Sequence, residues 1–266
     1  MGASGSGKGP LVAHVALRNG RFVMMINDEP VFPMMYAMTG AAYRNWEQVA
    51  QRNVELFADA GFRLYEIDVW FRDIWASDGA LDVARAARQA RSVLDICPSA
   101  ALFVRLNVTG PHWWVEQNPD ECVGYADGPP AENLNVDACE RIRRNSHVSE
   151  KWRIEATDKL IEFCRRLSAM PEGDAVMGLH LAGGAWGEWF YWGFPHEPDT
   201  GPAMTRCFRT WLREKYRTDA ALQTAWNDPN VTFDTATVPG LDERYRTQHG
   251  IFRDPQQERK AIDYGR

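Results

Sequence analysis

A chain of 266 residues with 45% hydrophobic content can bury one large core or two smaller ones, and its net charge of −6, with Lys and Arg scattered, argues against a nucleic-acid surface. No apolar run approaches the roughly 18 residues needed to span a bilayer and no basic-then-apolar leader opens the chain, so no membrane partner is expected and the cytoplasm is the expected location. Five widely spaced cysteines without a C-x-x-C pair (Cys97, Cys122, Cys139, Cys164, Cys207) read as reduced thiols rather than a disulfide frame or zinc site.

Residues 1–10 read as a flexible tail. Gly2 to Lys8 nearly spells a phosphate-binding loop, but Gly9 stands where Ser or Thr would hold Mg²⁺, no strand precedes it, and Pro10 follows at once. Residues 11–266 read as one domain. Val12 to Val31 alternates around Asn19-Gly20 and Asn27-Asp28, which predicts a small β-hairpin. A short apolar strand follows over Val31–Ala37, then a helix with Trp46, Val49, Ala50, Val54, Phe57 and Ala58 in register, stopped by Gly61. Leu64–Val69 is a second strand, Leu81–Leu94 a second helix and Ala101–Val108 a third strand. A loop of roughly forty residues, Gly110 to Ser149, is long enough to be functional. The third helix starts at Ser149, with Trp152, Ala156, Leu160, Phe163, Cys164 and Leu167 on one face. Ala175–Ala182 reads as a buried fourth strand. A fourth helix carries Met204, Phe208, Trp211, Leu212 and Tyr216, and a shorter one ends near Trp226. Val231–Val238 is rich in Thr and Asp and reads as loop.

The order β-α-β-α-β-α-β-α calls for a parallel sheet with right-handed crossovers. Four to five such units are about half of an eight-stranded barrel, so the expected fold class is α/β of (β/α)₈ type, with only its N-terminal portion present.

Function in such arrays collects at the carboxyl ends of the strands. Seven of the eleven tryptophans lie at or just past those ends: Trp70, Trp75, Trp113, Trp114, Trp186, Trp189 and Trp192. Indole faces suit the C–H faces of sugar rings, although a tryptophan there can equally cap the core. Gly183 and Gly184 break the fourth strand, and Glu188 follows between Trp186 and Trp189. A carboxyl group held between indoles loses water and favours its protonated form, which makes Glu188 the candidate general acid. Glu66 and Asp68 share one side of the second strand, Arg105 and Asn107 one side of the third, and His180 lies on the fourth. Charges on such a face need partners, so Arg105 with Glu66 or Asp68 is the natural ion pair, and His180 is either a satisfied core residue or a substrate contact. No zinc-protease, serine-hydrolase or dinucleotide motif is present, and no metal or cofactor is expected.

Pro111-His-Trp-Trp114 with Asn118-Pro119, Asn145 to Trp152, Gly178 to Trp192, Phe208 to Tyr216 and Ala221 to Trp226 together resemble, in order and spacing, segments of β-galactosidase-like glycoside hydrolases of clan A. The resemblance covers about residues 20 to 264. It implies retaining hydrolysis of O-glycosyl bonds in an oligosaccharide or glycoside, with Glu188 as acid/base. On that reading the tryptophans Trp113, Trp114, Trp186, Trp189 and Trp192 are sugar platforms, Arg105, Glu66 and Asp68 form the polar floor, and Asn107 and His180 are further candidate substrate contacts. Two departures stand out: Gly187 precedes Glu188 where the family commonly has Asn, and the strand that carries the family's nucleophile is expected beyond this chain. Three alternatives remain: a carbohydrate binder without activity, a metal-dependent (β/α) lyase or isomerase using Glu66, Asp68 and His180, and a half-barrel that forms a homo-oligomer to cover its open edge.

Overall fold

The computed structural model describes residues 9–38, 50–133, 137–246 and 252–265. The phosphate-loop-like stretch over residues 1–8 and the helical position Trp46 lie outside them. The chain forms two compact units, Met1–Val108 with Thr157–Ala182, and Thr109–Ala156 with Gly183–Arg266.

The first unit opens with β1 (Ala13–Arg18), β2 (Arg21–Ile26) and β3 (Glu29–Val31), paired antiparallel in that order. Asn19 and Gly20 (φ 50° and 74°) and Asn27 and Asp28 (φ 50° and 65°) each fill a two-residue turn. Positive φ at both central residues is the type I′ geometry that matches strand twist. The expected hairpin is therefore a three-stranded meander, because both pairs turn the chain. The single strand expected over Val31–Ala37 also divides. Val31 ends β3, whereas β4 (Met35–Ala37) opens a separate parallel sheet, and Pro33 between them has no N–H to offer a ladder.

That parallel sheet runs β4, β5 (Leu64–Trp70), β6 (Ala101–Asn107), β7 (Val176–Ala182), in chain order. Helices α1 (Gln51–Asp59), α2 (Phe71–Ile74) and α3 (Ala84–Leu94) fall between the strands. Every residue of β5 is buried, and each fully buried Ile, Val or Leu contributes about 1.5–3 kcal/mol relative to exposure. Helix α3 buries Ala86, Ala87, Ala90 and Val93, a stripe at helical spacing whose small side chains let it lie close on β5. It begins at Ala84 rather than Leu81, because Leu81 bridges to Trp75 after α2.

The run expected to be a buried strand, Ala175–Ala182, has a different environment. Among the described residues strand β7 pairs only with β6, and His180 and Leu181 on it are exposed. Apolar composition is the same for a central and a last strand, which is why the sequence reads as buried. Register aligns Asp68 with Arg105 and Arg105 with His180, and places Gly178 beside Phe103. A Cβ at Gly178 would meet the Phe103 ring at 2.8 Å, so a larger residue there would have to displace that ring.

In the second unit the long segment after β6 is not a bare loop. It carries α4 (His112–Gln117), and its later part pairs Cys122 with Asn145 and Tyr125 with Pro198 through isolated bridges. Helix α5 (Glu150–Ser168) starts where expected, with Ser149 Oγ accepting from the Trp152 amide at 3.0 Å as its cap. The boundary between the units falls within α5. Helices α6 (Pro202–Tyr216) and α7 (Asp219–Trp226) bury Phe208, Leu212 and Leu222 with Val231, Ala236 and Val238 of the following loop. Among the described residues no strand follows Gly201. Two further short helices, α8 (Leu241–Arg244) and α9 (Arg259–Tyr264), close the unit. Asp263 of α9 accepts from Tyr216 Oη at 2.6 Å and Trp226 Nε1 at 2.8 Å and pairs with Lys215 and Arg259, fixing α9 to α6 and α7.

Candidate active site

The first unit carries a polar strip on one face of its parallel sheet. Arg105 donates to Asp68 Oδ1 at 3.0 Å, and Trp70 Nε1 donates to Asp68 Oδ2 at 3.1 Å. Lateral register decides this choice of partner, because Asp68 is the residue beside Arg105 whereas Glu66 lies beside Phe103. Glu66 is left to His180, whose Nδ1 stands 2.8 Å from Glu66 Oε2. Glu66, Asp68, Arg105 and Asn107 are all buried, while the His180 ring is half in solvent. His180 is thus neither a core residue nor alone. The strip divides into two separately satisfied carboxylates rather than one converging donor set, and no group of three or more His, Cys, Asp or Glu among the described residues could hold a metal ion.

The second unit carries the tryptophan-rich turn that includes Glu188. Strand geometry ends at Ala182, and the backbone then folds back on itself: the Ala185 amide donates to the Phe190 carbonyl at 2.9 Å, and the Trp189 amide to the Gly183 carbonyl at 2.8 Å. Trp186 and Gly187 form the corner with φ of 54° and 81°, and Trp189 follows at 62°. Positive φ is costly for a bulky residue, on the order of 1–3 kcal/mol each, and such strain clusters at functional positions. Gly184 (φ 66°) is obligatory, since a Cβ there would lie 2.0 Å from the Phe190 carbonyl oxygen.

The turn shows its aromatics to solvent. Trp186 and Trp189 are each 53% exposed, with Phe190 and Phe194 beside them, and Glu188 is exposed as well. The expectation that flanking indoles desolvate Glu188 is not met, because the corner at Trp186-Gly187 turns all three side chains outward. Behind the turn, His147 stacks on Tyr191 with centroids 4.2 Å apart and meets the Trp189 ring edge at 5.9 Å. Burial pulls the His147 imidazole down to about 4, so it is neutral at neutral pH. Trp192 lies under the Arg144 guanidinium at 5.5 Å, and its carbonyl accepts from Tyr125 Oη at 3.0 Å. The fully buried Asp199 accepts from Ser146 Oγ at 2.5 Å and from the amides of Gly124 and Gly201 at 3.0 and 2.7 Å, tying the 121–149 segment to the end of the turn. Burial pushes its carboxyl up, against the pull of these donors.

Not every tryptophan at a strand end can touch a ligand. Trp114 is 0% exposed, donates to Glu155 Oε2 at 2.5 Å and packs edge-on against Trp152 at 4.7 Å. Its expected role as a sugar platform is corrected to that of a core residue; Trp70 and Trp75, at other strand ends, are buried as well. Trp113 and Trp192 are half-buried. His147, Tyr191 and Asp199 were not among the expected residues. His147 lies in the Asn145–Trp152 stretch but on no periodic face, and Asp199 acts through contacts distant in sequence.

No family model matches this sequence, and no curated protein sequence matches it. Solved structures do. A β-galactosidase from the psychrophilic Marinomonas ef1 aligns with a TM-score of 0.56 at 18% identity, over 78% of this chain and 30% of its own. A β-galactosidase from the Antarctic haloarchaeon Halorubrum lacusprofundi aligns with a TM-score of 0.54 at 19% identity, over 77% and 29%. The catalytic domain of a β-amylase from Paenibacillus polymyxa gives 0.56 at 16%, over 80% and 55%. The chain spans less than a third of the length of these galactosidases. At such identities the likeness is one of fold: the four parallel strands are part of a (β/α) barrel of the kind these β-galactosidases and the β-amylase share.

Proposed function

We propose that this chain handles a β-galactoside-like glycoside, with Trp186 and Trp189 as the sugar platform and Glu188 as the acid/base of glycosidic cleavage. The observation that carries the reading is the turn itself: two large aromatic residues at strained positive φ, each half in solvent, on either side of a carboxylate. Burying those indoles would be the ordinary outcome; holding them outward against backbone strain suits a surface that stacks on sugar C–H faces. Trp113 and Trp192 are secondary platforms of the same unit, and in the first unit, taken by itself, the strip of Glu66, Asp68, Arg105, Asn107 and His180 offers hydrogen-bonding groups to hydroxyls.

In this chemistry Glu188 gives its proton to the glycosidic oxygen as the C–O bond breaks, then takes a proton from the incoming water. Retaining cleavage also needs a second carboxyl group roughly 5–5.5 Å away, and the reading assigns none among the described residues. Residual hydrolysis of an aryl β-galactoside, measured at high protein concentration, tests the role of Glu188. Slow turnover that falls about a hundredfold or more in Glu188→Gln supports it. Turnover unchanged by that substitution contradicts it.

A second reading is carbohydrate binding without hydrolysis. The exposure of Glu188 favours it, because a general acid gains from exclusion of water. Sugar affinity that survives Glu188→Ala, with no hydrolysis of any aryl glycoside, would select it.

A further inference from the structure

The Glu66–His180 pair is asymmetric in a way that has chemical content. The Glu66 side chain is 4% exposed and the His180 side chain 50%, although the two meet at 2.8 Å. His180 stands on β7 and Glu66 on β5, so the imidazole reaches back across β6 to find its partner. Two positions before His180, Gly178 carries no side chain and the Phe103 ring of β6 packs against it. A carboxylate can only accept a hydrogen bond, so the contact requires the ring proton on Nδ1, and in the neutral ring this leaves the lone pair on Nε2. Nε2 is the ring's other nitrogen, on a side chain that is 50% exposed.

We infer that Glu66 and His180 form a tautomer-locked acceptor site for a sugar hydroxyl, in which His180 Nε2 accepts from the hydroxyl and Glu66 is the positioning residue. The inference rests on the glycoside reading above. Three features favour a neutral hydroxyl over other ligands. A charge-assisted hydrogen bond is about twice as strong as a neutral one, so the buried carboxylate sets the tautomer firmly. A ligand carboxylate or phosphate would meet the negative charges of Glu66 and, next to Arg105, of Asp68. And the neighbouring carboxylate is already held by Arg105 and Trp70, whereas the imidazole that carries Nε2 is half in solvent.

The lock is read directly by multiple-bond ¹H–¹⁵N correlation on protein labelled with ¹⁵N-histidine, at about pH 8, above the ordinary histidine range. Wild type is expected to carry the proton on Nδ1. Glu66→Leu, which fills a similar volume but removes the acceptor, is expected to give a mixture of tautomers. Glu66→Gln, whose amide can accept from Nδ1–H but can also donate to a bare Nδ1, is expected to fall between the two. Titration with methyl β-galactoside then tests the ligand. His180→Gln places a polar group near the Nε2 position and is expected to bind within about twofold of wild type. His180→Asn reaches only the Nδ1 position and is expected to lose about fivefold or more. A wild-type Nε2–H tautomer, or a tautomer indifferent to Glu66→Leu, overturns the lock. Galactoside binding that does not distinguish the two His180 variants overturns the inference and leaves the glycoside reading standing. Failure of wild type to bind the galactoside, with the Nδ1–H lock intact, overturns the glycoside reading and the hydroxyl ligand with it.

Discussion

Arg105 donates to Asp68 at 3.0 Å between adjacent strands in register, with only 6% and 1% of the two side chains exposed. A buried pair of this kind adds little over an apolar pair of the same volume, but breaking it strands a charge. Arg105→Met alone is therefore expected to cost about 3–5 kcal/mol of unfolding free energy. Arg105→Met with Asp68→Leu should recover most of that loss. Denaturant titration of the two variants checks it, and equal losses would mean that the charges are hydrated rather than buried.

Gly184 and Gly61 separate two costs that positive φ can carry. Gly61 has φ 94° with open space where a Cβ would go, so Gly61→Ala should cost about 1 kcal/mol, the conformational penalty alone. Gly184 has φ 66° and a carbonyl oxygen 2.0 Å from the Cβ position. Gly184→Ala must also move the Phe190 carbonyl, which accepts from Ala185 at 2.9 Å. It is expected to cost about 2–4 kcal/mol and to weaken sugar binding, whereas Gly61→Ala leaves binding unchanged. Thermal unfolding of both variants is the check.

His147 makes stability depend on pH in a defined direction. Burial lowers its folded-state value from 6.5 to about 4, so between these limits the unfolded chain binds a proton that the folded chain refuses. The stability tied to neutral His147 is fully present above pH 6.5 and is lost as pH falls towards 4, by roughly 2–3 kcal/mol. Asp199 works the opposite way in the acid range, because its carboxyl is raised by burial. The difference between wild type and His147→Phe cancels that contribution. The two should unfold with a gap that narrows or reverses on going from pH 7 to pH 4, in about that amount; a gap independent of pH would contradict the burial of a neutral imidazole.

Much of the fold is legible in the sequence, for local reasons. Strands β5 and β6 and helices α3, α5 and α6 have their apolar residues at the right period, and each occurs within a few residues of its expected place. The meander was half visible, since Asn27-Asp28 is a turn signal as strong as Asn19-Gly20. What the sequence hides is set by neighbours. β7 has the composition of a central strand but, among the described residues, pairs on one side only. Trp114 lies at a strand end like Trp113, yet Trp152 and Glu155 of the following helix enclose it. That Arg105 takes Asp68 and leaves Glu66 to His180 follows from register and from a reach across a whole strand, neither of which a one-dimensional pattern contains. The tryptophans around Glu188 are legible as a strand-end cluster, but the corner that turns them and Glu188 to solvent is set by positive φ, which composition does not carry.

The central claim is that the turn bearing Glu188 presents Trp186 and Trp189 to a sugar, and the affinity of the chain for methyl β-galactoside tests it most directly. Calorimetric titration should give measurable binding for wild type, and a loss of about tenfold or more when Trp186 and Trp189 are both replaced by Ala, with stability changed little because both rings are half exposed. Galactoside affinity identical in the wild type and the doubly substituted chain would contradict the account.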